Sequence, residues 1–75
     1  MSDEAIAKMY RDEKDCLVFV SSGISGGAVW MTVRQKKPGA GTHRVKSPRL
    51  PLRETPEQAQ QDLDAYALAR GWRRD

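Results

Sequence analysis

The chain has 75 residues, of which 39% are hydrophobic and 31% charged, with a net charge of +3 and one cysteine. A chain this short buries only about 60% of the surface that its unfolded form exposes, so it has room for one thin core and no deep substrate cavity. The composition excludes a disordered chain and a disulfide-stapled domain, and no apolar run approaches a membrane span. Because the acidic start Met1–Glu4 lacks the apolar core of a signal peptide, we expect one small cytoplasmic domain over residues 1–75.

The N-terminal segment carries a short helical pattern. Ser2 is a favourable N-cap, and Ile6, Met9 and Tyr10 fall on one helical face. We expect a helix over residues 3–13. The alternative is a loosely ordered tail over residues 1–15, because so short a helix is marginal without docking.

Two apolar segments predict an antiparallel hairpin. Cys16–Val20 is a continuous apolar run, which indicates a strand covered on both faces. After the turn region Ser21–Gly27, the segment Ala28–Lys36 alternates as a strand does. The residues expected to face the core are Val29, Met31 and Val33, and those expected to face solvent are Trp30, Thr32, Arg34 and Lys36.

A third extended segment and a helix complete the prediction. His43–Ser47 follows a Pro-Gly turn, and Pro48 and Pro51 restrict its continuation to an edge strand or coil. Thr55, Pro56 and Gln58 then give a helix start, and Gly71 gives its stop. Its expected inner stripe is Ala59, Leu63, Tyr66, Ala67 and Arg70, and its expected outer face is Glu57, Gln61, Asp64 and Leu68.

These elements predict an α+β fold in which a three-stranded antiparallel sheet packs against a C-terminal α-helix, in the order α-β-β-β-α. Leu68 is the exception to the pattern, because it is a large apolar residue on the face expected to be wet.

The catalytic and metal-binding patterns in the chain are incomplete. Gly23–Gly27 fits the G-x-S-x-G pattern of hydrolases, but a strand follows it, and His43 is the one histidine available as a base. One Cys and one His cannot build a structural zinc site, and Asp62 and Asp64 diverge on a helix. Cys16 begins an apolar strand and is interpreted as a buried hydrophobe. We expect neither an enzyme nor a cofactor or metal.

A proline-spaced segment offers one peptide motif. Pro48–Arg53 matches P-x-x-P-x-R, a pattern that is recognised by domains that bind polyproline helices. The same spacing is typical of an extended connector that avoids becoming an exposed edge strand. We favour the connector.

The distribution of charge is the strongest functional signal. Residues 34–53 hold seven Lys and Arg side chains and no acid, whereas five acids precede this segment and five follow it. Cations beside an aromatic ring suit nucleic acid, because they neutralise phosphates while the ring stacks on an unpaired base. A solvated sheet face is the alternative. The predicted nucleic-acid-binding residues, with Arg44 and Lys46 on the face of Arg34, are Trp30, Arg34, Lys36, Lys37, Arg44 and Lys46.

A second hypothesis concerns a protein partner. The acidic outer face of the last helix, with Leu68, Asp64 and Gln61, could dock against a basic groove or a second copy of the chain.

Two resemblances bear on these hypotheses. The order α-β-β-β-α resembles that of double-stranded-RNA-binding domains, but the last helix opens with Thr55-Pro56-Glu57, an acid where that family places lysines. A sheet that inserts into a groove, as in three-stranded arm-type DNA-binding domains, suits the charges better. Separately, Thr55–Trp72 resembles the C-terminal helix of small, uncharacterised phage and prophage proteins, which implies a mobile-element origin and an inhibitor or modulator of a host system.

Overall fold

The computed structural model describes residues 8–22 and 29–75, which form an antiparallel sheet of five strands and one α-helix. The elements in chain order are β1 (Tyr10–Arg11), β2 (Leu17–Ser22), β3 (Trp30–Gln35), β4 (Thr42–Arg44), α1 (Pro56–Arg70) and β5 (Arg73–Arg74). Across the sheet the strands lie in the order β4-β3-β2-β1-β5. None of the helices in the described ranges is both long and apolar enough to cross a membrane.

The β2–β3 hairpin is the centre of the sheet. Val18 lies opposite Arg34 and Val20 opposite Thr32, whereas Phe19 lies opposite Val33. Because directly opposed residues of antiparallel strands share a face, these pairs divide the hairpin into two surfaces. The antiparallel pairing of these two strands confirms the hairpin that the sequence predicts.

The helix packs on the surface that carries Val18 and Val20. The buried core consists of Tyr10 and Val18 from the sheet and Leu63 and Ala67 from α1, with Val20, Val45 and Trp72 packed against it. Val18, Leu63 and Ala67 are fully buried. At the helix start, the Thr55 side chain accepts a hydrogen bond from the Gln58 backbone N–H at 3.2 Å. Gly71 ends the helix in the left-handed conformation, at φ 73°. The predicted bounds and caps of α1 are therefore confirmed.

The predicted N-terminal helix is not matched. Residues 3–7 lie outside the described residues, and Tyr10–Arg11 forms β1 instead of continuing a helix. Tyr10 pairs with Val18 and buries all but 8% of its surface. Asp12 then closes the turn into β2, since its Oδ1 atom accepts hydrogen bonds from the backbone N–H groups of Lys14 and Cys16, both at 2.9 Å. Pairing with the apolar β2 outweighs the short helical pattern.

The second difference at this edge is β5, which the sequence did not predict. The left-handed Gly71 redirects the chain after α1, and Arg73 and Arg74 pair with Arg11 and Tyr10. The Asp75 N–H donates to the carbonyl of Met9 at 2.8 Å and extends this pairing. Two exposed arginines carry no strand pattern, so only the pairing itself reveals β5.

The connector after β4 is packed against the rest of the structure. The third extended segment is shorter than predicted, because β4 ends at Arg44, and the Val45 N–H donates to the Thr32 carbonyl at 2.9 Å. Leu50 is 1% exposed, and Arg53 exchanges two backbone hydrogen bonds with Trp30, at 2.7 and 2.9 Å. The P-x-x-P-x-R segment is thus a connector anchored to the fold at Leu50 and Arg53.

The orientation of β3 is the reverse of the prediction. Trp30, Thr32 and Arg34 share the face that α1 covers, and Thr32 is 3% exposed. Met31 and Val33, which were expected to face the helix, lie on the other face. The helix packs where Tyr10, Val18 and Val20 supply apolar surface, and this choice fixes which side of β3 it covers.

Candidate functional site

Some basic side chains form an ion pair with an acid among residues 8–22 and 29–75, and others do not. Ion pairs of 3.8 Å or less hold Lys8, Arg11, Arg34, Arg53, Arg70 and Arg73. Among residues 8–22 and 29–75, no acid pairs with five exposed cations of the β3–β4 hairpin and its connector. These five residues, called here the hairpin cations, are Lys36, Lys37, Arg44, Lys46 and Arg49.

The loop between β3 and β4 positions two of the hairpin cations. The Gln35 side-chain amide donates to the Ala40 carbonyl at 2.6 Å, and the Ala40 N–H donates to the Lys37 carbonyl at 3.1 Å. Gly39 adopts φ 84°, a conformation that glycine reaches without strain. The loop is therefore held closed, with Lys36 and Lys37 exposed at the end of the hairpin.

Arg34 and Arg44 do not share a face, contrary to the prediction. Arg34 lies opposite His43 on the helix-covered side, whereas Arg44 lies opposite Val33 on the other side. The structure thus places Arg44 beside Val33, in the same row across the sheet as Phe19, and separates it from Trp30 and Arg34.

Arg34 forms an ion pair with a buried carboxylate. Its Nε atom lies 2.9 Å from Oδ2 of Asp12, whose side chain is 1% exposed. This contact is an ion pair without hydrogen-bond alignment, because the buried Nε atom has no hydrogen-bond partner among the described residues. The positive charge of Arg34 is therefore largely offset inside the fold.

Trp30 is also placed away from the hairpin cations. It is half-buried on the helix-covered side, and its backbone N–H and carbonyl are both bonded to Arg53. The Arg53 guanidinium in turn donates to both Asp62 carboxylate oxygens, at 2.7 and 3.2 Å, which raises the pKa of Arg53. Trp30 thus belongs to the junction between β3 and the connector.

The aromatic side chain that does accompany Arg44 is Phe19, which the sequence interpretation placed in a doubly covered strand. Phe19 lies on the face of the sheet opposite α1, which no helix of residues 8–22 and 29–75 covers. This face, called here the helix-free face, has Leu17, Phe19, Met31 and Val33 as its central residues. Leu17, Phe19 and Met31 are half-buried. Because every residue of Cys16–Val20 is apolar, the run gives no alternation from which this side could be recognised.

The residues predicted to bind a protein partner also lie in different environments. Leu68 is 85% exposed, and Gln61 is also exposed. Asp64, by contrast, turns toward the sheet, where it accepts hydrogen bonds from the Tyr10 hydroxyl at 2.6 Å and from the Gln60 amide at 2.9 Å. Burial and the Asp64 carboxylate raise the pKa of Tyr10 to about 12. Asp64 is thus a contact between helix and sheet and not part of an outer acidic face.

A shallow cleft of about 390 Å³ lies on the β5 side of the sheet, where the β1–β2 turn meets the end of α1. Its wall includes the Trp72 indole N–H, which donates to Glu13 at 2.7 Å, and Arg70, which also lies near Glu13. Backbone hydrogen bonding and the Trp72 N–H hold the pKa of Glu13 below its ordinary value. Glu13 and Asp15 in this wall form ion pairs with Arg70 and Arg73, unlike the hairpin cations on the β4 side.

No metal cluster forms among the parts of the chain that the structure describes, since no three His, Cys, Asp or Glu side chains converge there. Compared with protein-family models, with curated proteins and with solved structures, the chain shows no significant match.

Proposed function

We propose that this chain is a non-enzymatic nucleic-acid-binding module that contacts phosphates through the hairpin cations. The observation that carries the proposal is the concentration of these exposed cations on one hairpin, where no described acid pairs with them. Cations that neutralise phosphates release condensed counterions, and this release drives binding that does not depend on sequence. The lone cysteine, Cys16, favours a reducing cytoplasmic setting for this activity.

Within this proposal the residues have different roles. Arg44 and Lys46 make the central phosphate contacts, and Lys36 and Lys37 extend them along the closed loop. Arg34 acts inside the fold, because Asp12 offsets its charge. Trp30 is not among the contacts to nucleic acid, because it lies on the side of the sheet that α1 covers.

Charge reversal with a matched control tests the proposal. Binding of fluorescent DNA and RNA oligonucleotides is measured by anisotropy at several salt concentrations. We expect the affinity of the wild type to fall steeply with salt, and the Arg44→Glu/Lys46→Glu variant to lose binding. The control, Lys14→Glu/Arg74→Glu, changes the net charge equally at exposed sites on the β1–β5 side and should retain most of the affinity. Equal losses in both variants, or no binding at low salt, would reject a site on the hairpin.

A second candidate function is a protein-binding module, either an adaptor or a phage-type inhibitor. The observation that favours it is the exposure of Leu68 near the end of α1, with Gln61 on the same helix also exposed. An exposed large apolar side chain offers surface whose removal from water by a partner is favourable. Capture of one stoichiometric protein by the wild type, and its loss with Leu68→Gln, would support this function. Unchanged capture would remove Leu68 from the interface.

A further inference from the structure

The helix-free face presents apolar surface next to the hairpin cations. Phe19 of β2, Val33 of β3 and Arg44 of β4 form one row across three neighbouring strands. Two strand spacings separate Phe19 from Arg44, which is roughly 10 Å. Val33 is 5% exposed, so the accessible apolar surface in and beside this row comes from Phe19 and its half-buried neighbours Leu17 and Met31.

The charge on this face is asymmetric. On the β4 edge, Arg44 has no ion-pair partner among the described residues. On the other edge, Arg11 pairs with Asp75 at 2.8 Å and Arg73 with Asp15 at 3.3 Å. A polyanion is therefore attracted to the β4 edge, and whatever extends inward from it reaches Phe19.

We infer that the helix-free face is a stacking platform for unpaired bases, so that the preferred ligand is a single-stranded nucleic acid. This inference rests on the proposed function and names its ligand. The sugar-phosphate backbone follows the β4 edge along Arg44 and Lys46, and one base stacks on the ring of Phe19 beside Met31. A base in a duplex hides both of its faces against neighbouring bases, so it cannot make this contact.

The charges argue against other occupants of the face. A second copy of the chain, docked by the same face about a two-fold axis that runs across the strands, would bring its own Arg44 and nearby lysines toward those of the first copy. For duplex binding through the start of α1, Glu57 in the first helical turn is an unfavourable neighbour for phosphate. A single strand satisfies both the cations and the apolar ring.

Substitution of Phe19 separates stacking from charge. Single-stranded and duplex oligonucleotides of equal length are titrated with the wild type, with Phe19→Leu and with the control Trp30→Leu. We expect Phe19→Leu to weaken single-strand binding by about 5- to 150-fold, the range for loss of one stacked base, with an unchanged salt slope. Duplex binding should change little, and Trp30→Leu should keep the preference for single strands.

A spectroscopic variant keeps the test informative if Phe19→Leu lowers stability. Phe19→Trp places an indole on the helix-free face, while Trp30 and Trp72 of the wild type supply the background. We expect a single strand to quench the emission of Phe19→Trp beyond the change in the wild type.

Three results would overturn the inference. Equal affinity for single strands and duplexes, with no effect of Phe19→Leu, would leave the hairpin cations as the binding site but reject the platform. A change in the Phe19→Trp emission when protein concentration alone is raised would show that a second copy covers the face. An absence of salt-dependent binding to every oligonucleotide would reject the inference and the proposed function together.

Discussion

The Nε atom of Arg34 on β3 lies 2.9 Å from Oδ2 of Asp12, across the intervening strand β2. The other carboxylate oxygen of Asp12 accepts the backbone N–H groups of Lys14 and Cys16. One side chain, 1% exposed, thus connects the β1–β2 turn to β3. A buried carboxylate with this set of partners is costly to lose, because its removal leaves the Cys16 N–H unsatisfied.

Substitution of Asp12 should therefore destabilise the fold. We expect Asp12→Ala to lower the free energy of unfolding by about 2–3 kcal/mol, with part of the loss of the ion pair compensated by water at the half-exposed Arg34. Urea denaturation measures the change. The control Glu54→Ala removes an exposed acid and should alter stability by less than about 0.5 kcal/mol. Equal midpoints for the two variants would contradict a structural role for Asp12.

Arg34 and Arg44 should respond differently to the same neutral substitution. Arg44→Gln removes a proposed phosphate contact, so the slope of log affinity against log salt should become shallower by about 0.7–0.9. Arg34→Gln should keep that slope and reduce thermal stability instead, because Arg34 is paired with Asp12. Anisotropy titrations and thermal melts of both variants give the comparison. A reduced salt slope in Arg34→Gln would return this residue to the binding surface.

The hydrogen bond between Tyr10 and Asp64 predicts a pH dependence at alkaline pH. Burial, and then the bond to Asp64, raise the pKa of Tyr10 from 10 to about 12. Because the folded state holds the phenolic proton more tightly than the unfolded state, this contribution to stability is complete below pH 10 and is lost as the pH rises toward 12.

Tyr10→Phe isolates that contribution. It should cost about 1–2 kcal/mol at neutral pH through loss of a hydrogen bond to a carboxylate. Denaturation midpoints of wild type and variant should then converge between pH 10 and 12. The difference between wild type and variant reports on Tyr10, because every other side chain is common to both proteins. A constant difference over this range would exclude ionisation of Tyr10 as the cause.

The helix could be predicted from the sequence because its determinants are local. Thr55 and Gly71 lie at its two ends, and each bonds to backbone groups within five residues along the chain. The hairpin of two longer strands was predictable for the same reason, since its strands are adjacent and strongly apolar or alternating.

The sheet as a whole was not predictable, because its determinants are distant in sequence. β5 has two residues and depends on pairing with a segment more than 60 residues away, as in Arg73 with Arg11. β1 is equally short, and its pairing with the nearby β2 depends on the turn that Asp12 closes. The face of β3 that α1 covers is fixed by the face of β2 that α1 covers. An entirely apolar run such as Cys16–Val20 does not reveal which face of β2 that is. For this reason the sequence predicted Trp30 as the aromatic residue of the site, whereas in the structure Phe19 shares a face with Arg44.

The clustering of unpaired cations does not depend on which side of β3 the helix covers, because these cations are neighbours along the chain. The cations of residues 36–49 occupy one hairpin and its connector, whereas the acids that pair with other cations lie in the β1–β2 turn, in α1 and at the C-terminus. The same surplus therefore occupies one edge of the sheet, even though Arg34 and Arg53 are withdrawn from it by Asp12 and Asp62.

Leu63 and Leu68 of α1 differ in burial and should differ in their contribution to stability. Leu63 is fully buried and Leu68 is 85% exposed. Leu63→Ala should lower the free energy of unfolding by about 2–5 kcal/mol, because it removes core contacts and leaves a cavity. Leu68→Gln should change it by less than about 0.5 kcal/mol, since the side chain already lies in water. Denaturant titration measures both values. A loss above about 1 kcal/mol for Leu68→Gln would show that Leu68 stabilises the isolated chain, whereas a neutral result makes any accompanying loss of a protein partner attributable to the interface itself.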